Sequence, residues 1–132
     1  MSALRISGTT PENSLYVRVG GMAFFRQLVA NFYDGVEVRP VLRAMYDEDL
    51  TSAKEHLALF FAQYFGGPET YNETRGHPRL RMRHAPYVID VNARDLWLEA
   101  MLLAIEGSGA SQEDRAELIA YVDVAANSLR NA

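Results

Sequence analysis

The stretch YNETRGHPRLRMRHAP, residues 71–86, crowds four arginines, two prolines and two of the chain's three histidines into sixteen positions. His84 is the residue there with the widest chemistry. A general base needs a nucleophile or an orienting carboxylate beside it, and no Gly-x-Ser-x-Gly elbow exists. A zinc site needs paired ligands, and the scattered histidines form neither His-x-x-x-His nor His-Glu-x-x-His. An axial haem ligand needs one neutral imidazole, an apolar pocket and cations for two propionates. The chain holds all three ingredients. A structural imidazole, satisfied in core or surface, stays open beside these readings. Arg79, Arg81 and Arg83 alternate with Leu80 and Met82. They need not point one way, and most have Asp and Glu partners to choose from.

The rest of the chain must position this segment, and it reads as helix. Phe24, Phe25, Leu28, Val29, Phe32 and Tyr33 recur at helical spacing. Gly35 suggests the end of that helix, and Pro40 opens a short helical turn, PVLRAMY. The next helix lies within DEDLTSAKEHLALFFAQYF. Ser52 and Glu55 have capping-box spacing, and Asp49 or Thr51 serves equally as its start. Leu50, Ala53, Leu57, Phe60, Phe61 and Tyr64 form its apolar face, and Gly66-Gly67-Pro68 ends it. Gly76, Pro78 and Pro86 limit the following segment to loop plus one or two turns around residues 79–85. DVNARDLWLEAMLLAIEG is helical again, with Leu96, Ala100 and Leu103 on one line and Trp97, Met101 and Ala104 beside it. Ser111 starts the last helix, where Leu118, Val122, Ala125 and Leu129 share a face. No segment alternates with period two. The expectation is an all-α chain of about five substantial helices, with a flexible tail over residues 1–13 and one domain over 14–132.

Composition narrows the function classes. The 132 residues carry a net charge of −4, which argues against nucleic acid or an anionic membrane as partner. No cysteine is present, so disulfides, thiolate metal sites, thiol catalysis and covalent haem attachment are excluded. No apolar run approaches the roughly 18 residues of a membrane span, and the N-terminus lacks the apolar core of a signal peptide. A cytoplasmic location is the expectation.

The motifs FFRQLVANFY, AQYFGGPETYNETRGHPRLRMRHAP and RDLWLEAM, with glycine pairs 20–21 and 66–67, resemble those of a truncated haemoglobin of group II. The likeness runs from about Leu15 to Asn131. It implies a two-over-two helical sandwich, the truncated globin fold, around one non-covalent haem b with iron. His84 falls on the proximal ligand, the iron's metal-binding residue. Tyr33 and Tyr46 fall on the two distal tyrosine positions, and Trp97 on the group's tryptophan. These three are the catalytic candidates. Ala53 stands where many globins carry a distal histidine or glutamine. His56 stands near the haem edge, where relatives often have Lys or Arg; its charge depends on pH. Tyr71 and Arg83 match positions near the propionates. Independently of the likeness, Ala53, His56, Leu57 and Phe60 lie at i, i+3, i+4 and i+7, so one helical face can line a flat ligand or simply pack as core.

An oxygen ligand carries partial negative charge, and two phenols and one indole can donate to it. One such bond is worth roughly 1.5–3 kcal/mol. Two acting independently slow escape by about 10²–10⁴. Long retention suits redox chemistry on oxygen, nitric oxide or peroxide, either peroxidase-like or nitric-oxide-detoxifying, and implies an electron donor. The alternatives are oxygen transport or storage, a gas sensor without catalysis, or a haem-free helical interaction module. A homodimer is left open.

Overall fold

The computed structural model describes residues 13–70 and 89–129. The tail expected over 1–13 lies almost wholly outside them. So does the turn expected around residues 79–85, and with it Tyr71, Arg83 and His84. Among the described residues every regular element is helical. In chain order they are α1 (Leu15–Val19), α2 (Met22–Glu37), α3 (Pro40–Arg43), α4 (Thr51–Tyr64), α5 (Val91–Glu106) and α6 (Gln112–Leu129).

Helix α2 packs on both α4 and α5, and α5 packs on α6. Two helical pairs, α2 with α4 and α5 with α6, thus lie over one another in the expected two-over-two arrangement. The core between them is apolar throughout. Phe25, Leu28, Phe32, Phe61, Met101 and Leu118 are almost completely shielded, and no polar or charged residue is buried among the described residues. Burial of this kind drives the packing at roughly 25 cal/mol per Å² of apolar surface.

The helix ends follow from identifiable groups. Pro40 occupies the first turn of α3, where its missing N–H costs nothing. Asp90 caps α5 by accepting from the Ala93 N–H at 2.9 Å, and Ser111 Oγ accepts from Asp114 N–H at 3.1 Å at the start of α6. At α4 the cap comes from Asp49, which accepts from the Thr51 N–H at 2.9 Å. The Ser52–Glu55 capping box does not form; Glu55 instead ion-pairs with Arg26 across to α2.

Three local expectations change. Gly35 does not end α2, which runs on to Glu37. A Cβ there would stand 3.1 Å from the Ala100 Cβ, so the glycine lets α5 cross α2 closely. Tyr64 is not part of the buried face of α4; it is 55% exposed, because Phe61, Ala62 and Phe65 take the core side of the last turn and leave it on the outer side. In α5 the line to the core is Trp97, Met101 and Ala104, while Leu103 faces outward at 59% exposure.

Past α4, Gly66 has φ +104°, and a Cβ on Gly67 would stand 2.6 Å from the Tyr16 ring and 2.8 Å from the Ala62 carbonyl. The turn therefore closes onto α1, where Tyr16 N–H donates to Phe65 O at 3.0 Å. Among the described residues no helix is long and apolar enough to cross a membrane.

Candidate functional site

A cavity of about 460 Å³ opens between α2, α4, α5 and α6 and the loop joining α3 to α4. Its walls gather residues from every one of those elements, including Tyr33, Tyr46, Ala53, His56, Leu57 and Trp97. The six expected site residues within the described segments are thus brought together.

Three of them form a polar corner in otherwise apolar walls. Tyr33 comes from the core face of α2 and is 3% exposed; Trp97 comes from the core face of α5 and is 9% exposed. Tyr46 comes from the α3–α4 loop. Phe32, fully buried, fixes the first two, with its ring 4.9 Å from Tyr33 and 5.5 Å from Trp97, edge-on to both. The Tyr33 and Tyr46 rings meet edge to face at 5.4 Å and 84°. The Tyr46 phenol lies close enough to the Tyr33 hydroxyl and the Trp97 indole N–H for both to act on its ionisation. Two phenol O–H groups and one indole N–H are thus gathered at this corner of the cavity as potential donors.

Electrostatics keeps the corner neutral. Burial pushes the Tyr46 phenol up to about 12, against the smaller opposing pull of the Tyr33 and Trp97 hydrogen bonds. Burial raises Tyr33 further, helped by the neighbouring Tyr46 and by its bond to it. Both therefore stay hydrogen-bond donors across the physiological range.

The loop carrying Tyr46 is held by Arg43, which the sequence reading did not single out. Its guanidinium donates to Asp47 O at 2.9 Å, Glu48 O at 2.8 Å and Tyr46 O at 3.4 Å, and pairs with Glu37. A cation in the last turn of a helix, facing the carbonyls that follow, is the signal that could have found it. The reading also missed Arg94 and Tyr121 in the cavity wall. Arg94 is tied to Asp95 at 2.6 Å and to Asn127.

Ala53, Leu57, Phe60 and Phe61 present one apolar side of α4 to the cavity. Ala53 leaves room beside the tyrosines where a longer side chain would fill it. A flat, largely apolar group with a polar edge fits such walls: the apolar stripe covers its face, while His56 and Arg94 supply polar contacts. His84, Tyr71 and Arg83, expected at the iron and the propionates, lie outside the described residues.

Comparison with known proteins identifies the arrangement. The family model for bacterial-like globin matches residues 14–131. The group 2 truncated haemoglobin of Bacillus subtilis is 36% identical over 111 residues, covering 84% of each chain. The crystal structure of a haemoglobin from the thermophilic phototrophic bacterium Chloroflexus aurantiacus superposes with a TM-score of 0.89 at 48% identity, covering 92% of this chain and all of that one. The X-ray structure of a truncated oxygen-avid haemoglobin from Bacillus subtilis gives 0.85 at 35% identity, covering 90% of this chain and all of that one. With its two helical pairs and its aromatic, largely apolar cavity, the chain belongs to the bacterial-like globins and, among them, to the group II truncated haemoglobins, which hold a non-covalent haem b and bind oxygen and other diatomic ligands.

Proposed function

We propose that this globin retains oxygen for long periods and carries out redox chemistry on oxygen, nitric oxide or peroxide, with a separate electron donor restoring the ferrous state. The observation that carries this reading is the convergence of two phenols and one indole, from three different elements, on one corner of an apolar cavity. Haem supplies the iron site for the ligand, and His84, by its motif, is the residue to hold that iron. What this chain's described residues do is donate. The Tyr46 hydroxyl and the Trp97 N–H both stand in the cavity wall, where each can donate to a ligand. Tyr33 positions Tyr46 by packing edge to face against its ring. In a site without bulk water each such bond counts for more than in solution. His56 and Arg94 line the same cavity, and with Tyr71 and Arg83 they are the groups suited to the propionates. Oxygen avidity is a property of one of the similar haemoglobins, and the donor cluster gives it a physical basis here. Rapid delivery sits poorly with donors gathered at one ligand position.

The test is the oxygen dissociation rate of Trp97→Phe, which keeps most of the ring volume and removes the N–H. Loss of one charge-assisted bond predicts a rise of about ten- to a hundredfold. Carbon monoxide, with less charge on its outer atom, should be affected less. Equal acceleration of both gases would make Trp97 a steric gate, and no change for either would remove it from the site. His84→Ala should abolish stable haem uptake or leave a cavity that free imidazole fills. Normal histidine-type spectra in that variant would sink the ligand assignment.

A further inference from the structure

The cavity wall holds a group whose chemistry ligand binding does not use, the thioether of Met45. This residue follows α3 and immediately precedes Tyr46. It is half-buried, packs against the core and lines the cavity. The backbone keeps it there. Its N–H donates to Leu42 O at 3.0 Å, and the Tyr46 N–H donates to Arg43 O at 3.1 Å. Arg43 in turn holds the carbonyls of Tyr46, Asp47 and Glu48. An oxidisable sulfur and a hydrogen-bond donor are thus neighbours on one tethered loop, both in the cavity wall.

We propose that Met45 is an oxidation site, converted to its sulfoxide when the haem-loaded protein meets hydrogen peroxide, and that the sulfoxide makes the globin release oxygen faster. This rests on the redox reading given above.

The step balances with peroxide as the only oxidant. The peroxide O–O bond breaks, and one oxygen atom bonds to the Met45 Sδ. The other oxygen leaves as water with both protons. The sulfur gives up two electrons and the peroxide takes them. Reversal needs an outside reductant of the dithiol class, because the chain has no cysteine. Two thiols close to a disulfide, the sulfoxide oxygen departs as water, and the thioether returns.

Geometry singles out Met45 among the described methionines. Met101 is completely buried in the core, and Met22 opens α2; neither lines the cavity. The consequence follows from the same placement. Oxidation turns a flexible apolar side chain into a polar one. Its new oxygen accepts hydrogen bonds, and the Tyr46 O–H and Trp97 N–H stand in the same wall. A donor engaged by the sulfoxide is lost to the ligand. Loss of one ordinary hydrogen bond corresponds to about a two- to tenfold faster release.

The experiment treats ferric holoprotein with one equivalent of hydrogen peroxide, follows peroxide loss and maps added oxygen by peptide mass spectrometry. The protein is then reduced, and oxygen release is timed by stopped flow. The expected result is oxidation at Met45 ahead of Met22 and Met101, with release about two- to tenfold faster than before treatment. Met45→Leu conserves volume and removes the sulfur; peroxide should leave its own release rate unchanged. Met45→Gln, with a polar acceptor at similar length, should release oxygen faster than Met45→Leu with no peroxide added. Peroxide consumed with Met45 unmodified, or with Met22 or Met101 oxidised first, overturns the site while the redox function stands. Met45 oxidised with no change in release overturns the consequence drawn from it. An equal acceleration in peroxide-treated Met45→Leu does the same. Peroxide left unconsumed by the wild type overturns both the site and the peroxide chemistry it rests on.

Discussion

At the scale of single residues, the site depends on where the Tyr46 oxygen stands, and Arg43 sets that position without touching the cavity. Its guanidinium binds three consecutive loop carbonyls, those of Tyr46, Asp47 and Glu48. Exposed ion pairs contribute little, but these are charge-assisted bonds to backbone groups from a side chain only 24% exposed. Arg43→Leu should therefore loosen the loop, cost roughly 1–3 kcal/mol of stability, and raise oxygen dissociation severalfold. Arg43→Lys, with one compact ammonium in place of a planar fork, should recover only part of the loss. If stopped-flow oxygen release in Arg43→Leu matches the wild type, Tyr46 is held by its packing in the aromatic corner alone.

At the scale of elements, helical spacing and capping chemistry made most of the fold legible. The faces of α2 and α6 follow from period alone, and Ser111 and Pro40 mark the starts they were expected to mark. What periodicity misses is how one helix meets the next. Gly35 reads as a stop, yet it is where α5 crosses α2, a contact between residues 65 positions apart in sequence that no local pattern records. Tyr64 has the spacing of a core residue, but Phe61 and Phe65 fill the core at that level and Tyr64 is left on the outer side. The polar corner shows the same limit. Tyr33, Tyr46 and Trp97 come from three elements, so spacing gave each a plain aromatic reading and only the resemblance to a family joined them. The Gly66–Gly67 turn was legible as a helix end but not as a packing site. Gly67→Ala would drive a methyl toward the Ala62 carbonyl at 2.8 Å, a backbone atom that cannot swing away. Overpacking of this kind costs about 1–3 kcal/mol, and thermal melts should show the loss. An unchanged melting temperature would mean that the turn after α4 relaxes away from both Ala62 and Tyr16 at no cost.

For the whole molecule, the cavity makes alkaline pH the weak side of its stability. Tyr46 and Tyr121 are both pushed up to about 12 by burial, and Tyr33 is raised as well. In the unfolded chain the same phenols ionise near 10. A raised pKa in the folded state means that folding favours the protonated form. This stabilisation is complete below about pH 10. It fades as pH climbs from there towards 12, because the unfolded chain sheds protons that the folded chain retains. Denaturant midpoints should thus fall steeply over that window, with no matching change from these groups between pH 7 and 9. Tyr46→Phe removes one of the three titrating phenols and should flatten the alkaline slope, whatever it does to stability at neutral pH. Ligand retention follows the same window. The Tyr46 hydroxyl stays a donor until its own ionisation near 12, so oxygen dissociation should be insensitive to pH through the physiological range and accelerate only as the fold itself begins to weaken. A dissociation rate that instead steps up near pH 10, with the fold intact, would show that Tyr46 meets bulk water and that the corner is not sealed.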